Sequence, residues 1–178
     1  DYTLATLRTF RASDPRRFGK RFEDVAIPTL GEVVNLLRDW PKVTLFVEIK
    51  REALVDAGVE EVYRRIAAIL GPIHNRAVLI SFELDVLATA HRHGWPALGV
   101  VTECWADLDR PVSARITPSF LFVNITSIPP TGGLARSDAR LAVYEVADPT
   151  LARCLGARGV DLIETFAIGE MREALRSD

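Results

Sequence analysis

Two residues of opposite charge, Glu48 and Lys50, close the apolar stretch Val43-Thr44-Leu45-Phe46-Val47-Glu48-Ile49-Lys50. Successive side chains of a strand point to opposite faces, so positions two apart share one. A carboxylate and an ammonium then project together from the end of a buried strand. The first is a hard oxygen ligand for a cation, and the second a fixed charge for an anion. The plain alternative is a solvated strand end. Ser81, Glu103, Asn124, Glu145 and Glu164 fall at the ends of later apolar runs. Glu103, Glu145 and Glu164 could each extend a polar site, or each could simply pair with an arginine. Proton transfer near neutrality calls for a group such as imidazole. Of the three histidines, His74 falls between a helix and a strand, and His91 and His93 at a helix C-terminus. All three read as structural or solvated. The sequence has no His-Glu-x-x-His, no cysteine cluster and no Gly-x-Ser-x-Gly.

The elements that must position these residues alternate. Strand-like runs occupy residues 43–49, 77–81, 97–102, 120–124, 141–146 and 160–163. Apolar residues at helical spacing mark 58–70, 84–91 and 168–175. Another helix opens at Thr29, where Glu32 completes a capping box and Ile27 serves as hydrophobic staple, and it ends before Trp40-Pro41. Asp148 as cap and Pro149 at the first helical position open a helix to Leu155. Residues 107–116 read as a short helix broken at Pro111. Alternating strands and helices imply a parallel α/β sheet, whose ligands sit at the carboxyl ends of the strands. Six polar strand ends would then converge on one mouth. A doubly wound open sheet and a (β/α)₈ barrel both fit. Nearly equal repeats favour the barrel, provided two strands are missing. No Gly-x-Gly-x-x-Gly or Gly-x-x-x-x-Gly-Lys loop supports the open sheet.

With 178 residues, 48% hydrophobic and 26% charged, the chain suits one domain with a sizeable core. A net charge of −2 gives no reason to expect a nucleic-acid partner. No apolar run approaches the ~20 residues of a membrane helix, and no secretory leader is visible. Cys104 and Cys154 read as free, mostly buried thiols of a reducing, cytoplasmic compartment. The chain starts at Asp1, without Met, which leaves room for a missing N-terminus.

Residues 1–26 are the least regular. Arg8, Arg11, Arg16, Arg17, Lys20 and Arg21 interleave with Phe10, Phe18 and Phe22. The segment reads as a solvated connecting loop anchored by the three phenylalanines, as a binder of phosphate backbones, or as a loop over a small-anion site.

Several motifs, taken in order, resemble the glycerophosphodiester phosphodiesterase family. They are Ile27-Pro28-Thr29-Leu30 opening a helix, Val47-Glu48-Ile49-Lys50 ending a strand, Leu79-Ile80-Ser81-Phe82-Glu83, Val143-Tyr144-Glu145-Val146 and Gly159-Val160-Asp161-Leu162-Ile163. The resemblance runs from about residue 20 to residue 171. It implies a (β/α)₈ TIM-type barrel, N-terminally truncated, with these six strands matching family strands three to eight. Residues 1–178 would be a single, incomplete domain. It implies hydrolysis of glycerophosphodiesters to glycerol 3-phosphate and an alcohol, with Mg²⁺ or Ca²⁺ as cofactor and a small phosphodiester as the partner. Glu48 matches a carboxylate metal ligand and Lys50 the lysine that contacts the phosphate. Phe82 and Tyr144 resemble pocket-lining residues. The family's general acid, general base and two further metal ligands would lie upstream of Asp1. No catalytic residue is therefore expected within the chain, which by itself should be inactive. The alternative is a degenerate barrel that binds a phosphate ester or a protein partner without turnover. Two departures bear on head-group specificity: Thr165-Phe166-Ala167-Ile168 stands where many members have Thr-Asp-x-Pro, and Glu145 and Ala147 where many have Thr and Asn.

Overall fold

Apolar runs of about five residues produce what their spacing promises, parallel strands, and among the described residues α-helices make three of the five crossovers while 3₁₀ turns stand in the β3–β4 and β4–β5 connections. A computed structural model of the chain describes residues 2–109 and 116–176. The expected helix broken at Pro111 thus falls partly outside the described residues; Trp105–Asp109 is a 3₁₀ turn. The chain falls into two units, residues 1–43 with 69–73, and residues 44–68 with 74–178.

The first unit carries two single-turn helices, α1 (Leu4–Leu7) and α2 (Pro15–Phe18), and the longer α3 (Leu30–Arg38). The capping box forms as its residues dictate. The Glu32 N–H donates to Thr29 Oγ1 at 3.2 Å, and the Thr29 N–H donates to Glu32 Oε2 at 2.8 Å. Arg8 grips the same carboxylate at 2.9 Å. These donors, the Thr29 backbone first, hold the Glu32 carboxyl below its ordinary range. Ala12 donates to the Val25 carbonyl at 2.8 Å and closes the loop between α1 and α3.

The second unit is a six-stranded parallel sheet in chain order: β1 (Leu45–Glu48), β2 (Ala77–Ser81), β3 (Leu98–Thr102), β4 (Phe120–Asn124), β5 (Arg140–Tyr144) and β6 (Leu162–Ile163). Between them run α4 (Arg51–Ala57), α5 (Val59–Leu70), α6 (Leu84–Arg92) and α7 (Pro149–Ala157), and α8 (Ile168–Arg176) follows β6. The inner strands β2 and β3 are buried along their whole length, while the edge strands β1 and β6 are half-buried, having one neighbour each.

Register decides which side chains share a face. Phe46 aligns with Val78, Glu48 with Ile80, Ile80 with Gly99, Gly99 with Phe120, Val101 with Phe122, and Asn124 with Tyr144. These residues share one face, apolar through Phe46, Val78, Ile80, Val101, Phe120 and Phe122 and polar at its end through Glu48 and Asn124, and the sheet curls around it. Three strand spacings would put β1 roughly 14 Å from β4 in a flat sheet. Instead the Phe46 ring meets those of Phe120 and Phe122 edge-on, with centroids 5.1 and 5.5 Å apart. Gly99 makes this possible: a Cβ there would lie 2.8 Å from Ile80 Cγ2 and 3.2 Å from Phe122 Cε2. The sheet is a curled, incomplete (β/α)₈-type barrel of six strands.

Helices cover the outer face. α6 packs on β2 and β3 through Val86, Leu87 and Ala90. Trp95, buried beside it, donates its indole N–H to the Ala77 carbonyl at 3.0 Å. His74 stacks edge-on against that indole, and His93 stacks on Tyr63 and meets Glu60 at 2.6 Å.

Several expected bounds shift. β1 is shorter than residues 43–49, β5 ends at Tyr144, and β6 is two residues long. α4 lies where no helix is expected, started by Lys50 immediately after β1. Cys104 and Cys154 are free, as expected, but exposed rather than buried, because both sit outside the sheet.

Candidate active site

The strand ends open into a cavity of about 430 Å³. β1 supplies Glu48 to it, and the turn into α4 supplies Lys50. The Lys50 ammonium donates to Glu48 Oε1 at 2.7 Å, and this bond raises the lysine above its ordinary range. Lys50 itself stays largely exposed, so one end of the pair faces solvent.

Phe82, one residue past β2, lines the same cavity, as does Tyr144 at the end of β5. The Tyr144 hydroxyl donates to the Thr102 carbonyl at 2.8 Å, which pins the ring across the top of β4. Burial, then the negative charges of Glu103, Glu164 and Glu48, push the phenol well above its ordinary range, so it keeps its proton at neutral pH. Glu48, Lys50, Phe82 and Tyr144, far apart in the chain, are therefore brought together at one mouth.

Three strand-end carboxylates join them. Glu103, Glu145 and Glu164 all line the cavity, and among the described residues no ion pair holds any of the three. The arginine pairing weighed for them is absent among the described residues. Asn124 Nδ2 instead donates to Glu103 Oε2 at 2.9 Å, while Asn124 Oδ1 accepts from the backbone N–H and the hydroxyl of Thr126. That second pair of bonds fixes which way the amide points. Glu164, though exposed, is pushed above the ordinary carboxylate range by partial desolvation first, then by Glu48 and Glu145, with Lys50 opposing. Glu48 ends one edge strand and Glu164 directly follows the other, and a flat sheet would hold those strands roughly 24 Å apart. Their mutual repulsion is a direct consequence of the curl.

Ser81 is the exception among the polar strand ends. Fully buried, it donates to the Ile49 carbonyl at 2.7 Å and accepts from the Glu83 N–H at 2.9 Å. Its side chain braces the β1–β2 junction and leaves the mouth to Phe82, the next residue.

The mouth thus carries four carboxylates and one ammonium, a field that repels an anion unless cations offset it. Glu48 is the donor type a hard divalent cation takes. Among the described residues, however, no group of three or more His, Cys, Asp or Glu side chains is arranged to hold a metal. The described residues alone do not make a metal cage. A second cavity of about 400 Å³ opens beside the first between β1 and β6, lined by Phe46, Leu162 and Ile168. Side chains fill this region in a closed eight-stranded barrel.

No family sequence model and no curated protein sequence matches the chain. Solved structures do. A Silicibacter pomeroyi protein described as a glycerophosphoryl diester phosphodiesterase superposes with a TM-score of 0.76 at 20% identity, over 99% of this chain and 68% of that one. The fold is that of the glycerophosphodiester phosphodiesterases. An Oleispira antarctica phosphodiesterase in complex with the product sn-glycerol-3-phosphate gives a TM-score of 0.73 at 18% identity, covering 98% of this chain and 71% of the other. A glycerophosphodiester phosphodiesterase of Parabacteroides distasonis gives 0.70 at 16% identity, with 99% and 72% covered. Near-complete coverage of this chain against about 70% of each phosphodiesterase matches a barrel with six of eight strands.

A spacing of two flags Glu48 and Lys50 in the sequence, although β1 ends at Glu48 and Lys50 lies in the turn into α4; strand-end position flags Glu103, Asn124 and Glu164. Thr126 carries no such signal. It reaches the mouth because Ile125–Ser127 is a 3₁₀ turn directly after β4, capped by Asn124.

Proposed function

We propose that this chain is the strand-three-to-eight portion of a metal-dependent phosphodiesterase. The reaction releases glycerol 3-phosphate and an alcohol from a small glycerophosphodiester, in the cytoplasm. The observation that carries the proposal is the Glu48–Lys50 pair, bonded at 2.7 Å at the mouth of a barrel with this fold. Such a hydrolase must neutralise charge on the phosphoryl oxygens, activate a nucleophile and protonate a leaving alkoxide. Mg²⁺ or Ca²⁺, when bound, supplies the first of these, with Glu48 as its one ligand from the described residues. Lys50 adds a fixed positive charge aimed at a non-bridging oxygen. Phe82 and Tyr144 line the pocket beside the Glu48–Lys50 pair. The general acid and base, with the remaining ligands, are assigned to residues upstream of Asp1. The chain as it stands would then bind without turnover.

The test is hydrolysis of glycerophosphocholine with Mg²⁺ or Ca²⁺, comparing this chain with one extended through its upstream reading frame. The expected result is activity in the extended form alone; equal rates in the two would refute the divided site. A second reading, a barrel that binds a phosphate ester without any turnover, draws on the absence of imidazole from this cavity among the described residues. It would prevail if the extended form bound glycerol 3-phosphate yet hydrolysed nothing.

A further inference from the structure

We infer that the segment from Arg8 to Phe22 is a docking surface for an anionic lipid bilayer. These fifteen residues hold six basic side chains and one acid, in a chain whose net charge is −2. The acid, Asp14, is occupied as the cap of α2, accepting from the N–H groups of Arg16 and Arg17. Arg8 is bound to Glu32. Arg11, Arg16, Lys20 and Arg21 are exposed and hold no ion pair among the described residues. Such a strip of exposed cations without ion pairs, with Glu23 and Asp24 only at its C-terminal end, complements a surface of phosphate and carboxylate headgroups.

The apolar half of the segment is exposed as well. Phe10, Phe18 and Phe22 are 41%, 38% and 43% accessible, and Tyr2, edge-on to Phe10, is 67% accessible. The phenylalanines therefore do not anchor the loop as expected from the sequence. Leu4, Val25 and Ile27 add exposed aliphatic surface from the same unit. Phe22 sits at φ 72°, a left-handed backbone that is costly for a bulky side chain. Burial of its ring within the protein does not offset that cost. Charge and apolar surface are interleaved at the scale of single residues: the guanidinium of Arg17 lies 4.7 Å from the Phe18 ring centroid, and that of Arg21 4.7 Å from the Phe22 centroid. Rings that sink to the acyl boundary while their cations stay among headgroups suit a bilayer interface.

The same features argue against nucleic acid. Base stacking needs free aromatic faces. Here Arg17 and Arg21 lie against Phe18 and Phe22, and the two rings meet edge-on at 5.5 Å. The aliphatic residues offer bases nothing to stack on. No helix among the described residues is long and apolar enough to cross a membrane, so the contact proposed is with the surface. The inference uses none of the residues at the strand mouth.

Co-sedimentation tests it, using vesicles of phosphatidylcholine alone and vesicles containing about one third phosphatidylserine. The chain should bind the anionic vesicles, bind the neutral ones far less, and dissociate as salt is raised. Each cation near an anionic bilayer contributes roughly fivefold in affinity, so Arg16→Glu with Arg21→Glu should weaken binding on the order of 100-fold or more. Phe18→Ser with Phe22→Ser leaves the charge untouched and should weaken binding about tenfold. A Phe18→Trp variant should shift its emission to shorter wavelength with anionic vesicles and not with single-stranded RNA. All substitutions are at accessible positions, and circular dichroism checks the fold. The inference is overturned by no binding to anionic vesicles, by binding indifferent to the phenylalanine pair, or by tighter binding to the RNA.

Discussion

Lys50 engages one oxygen of Glu48 and leaves the other toward a mouth that holds three more carboxylates, so each charge there feels its neighbours. The proposed role of Glu48 is checked in the upstream-extended chain, where Glu48→Gln should lower kcat/KM on the order of 100-fold or more. A near-normal rate would remove Glu48 from the site. Glu164 gives a prediction about stability. Its carboxylate is disfavoured in the folded protein by burial, then by Glu48 and Glu145. A folded-state pKa above the unfolded one means the ionised form costs stability at neutral pH. The cost fades as pH falls through the folded-state value, because the folded protein takes up its proton first. Glu164→Gln should therefore raise the melting temperature at pH 7 by about 1–2 °C, a small gain because solvent screens a group this accessible. The gain should vanish near pH 4. Calorimetry across that range checks both sign and window. The juxtaposition of Glu48 and Lys50 was legible from their spacing of two, although Lys50 lies past the end of β1, at the cap of α4. The repulsion on Glu164 was not, since it comes from a strand more than a hundred residues away.

Elements here are set by capping and periodicity, and the fine geometry by contact. Thr29 with Glu32 and Asp148 with Pro149 start α3 and α7 where their residue types require. The helix α4 was missed because Arg51-Glu52-Ala53-Leu54-Val55-Asp56-Ala57 has little apolar periodicity and no side-chain cap. Two glycines separate space from propensity. At Gly99 an added Cβ runs into Ile80, Phe122 and Phe120 on the concave face. Gly99→Ala should destabilise by about 1–3 kcal/mol. At Gly156, inside α7, nothing lies within 4 Å of the added atom. Gly156→Ala should stabilise by about 0.4–1 kcal/mol, because the unfolded chain loses freedom and the helix loses nothing. Urea titrations of the two variants should move in opposite directions.

At the scale of the molecule, the six-stranded order leaves β1 and β6 each with a single strand neighbour. Unpaired strand edges flanked by apolar side chains are templates for pairing between chains. The chain alone should therefore run larger than a monomer, and increasingly so with concentration, in size-exclusion chromatography with light scattering. The upstream-extended form should run as a smaller species. A concentration-independent monomer of the short chain would count against open edges.

The sequence by itself determined the parallel alternation, most helix starts and the juxtaposition of Glu48 and Lys50, because these depend on neighbours within a few positions; the choice of a barrel over an open sheet came from the family resemblance and from the curl of the sheet. Tertiary structure alone decided which polar strand ends meet. Register put Asn124 against Glu103 and turned Ser81 into the β1–β2 junction, and curvature made Glu48 and Glu164 neighbours. It also left Phe18 and Phe22 at the surface. Burial, curvature and charge repulsion are properties of surfaces that face each other across the fold, and local sequence does not contain the distance between them.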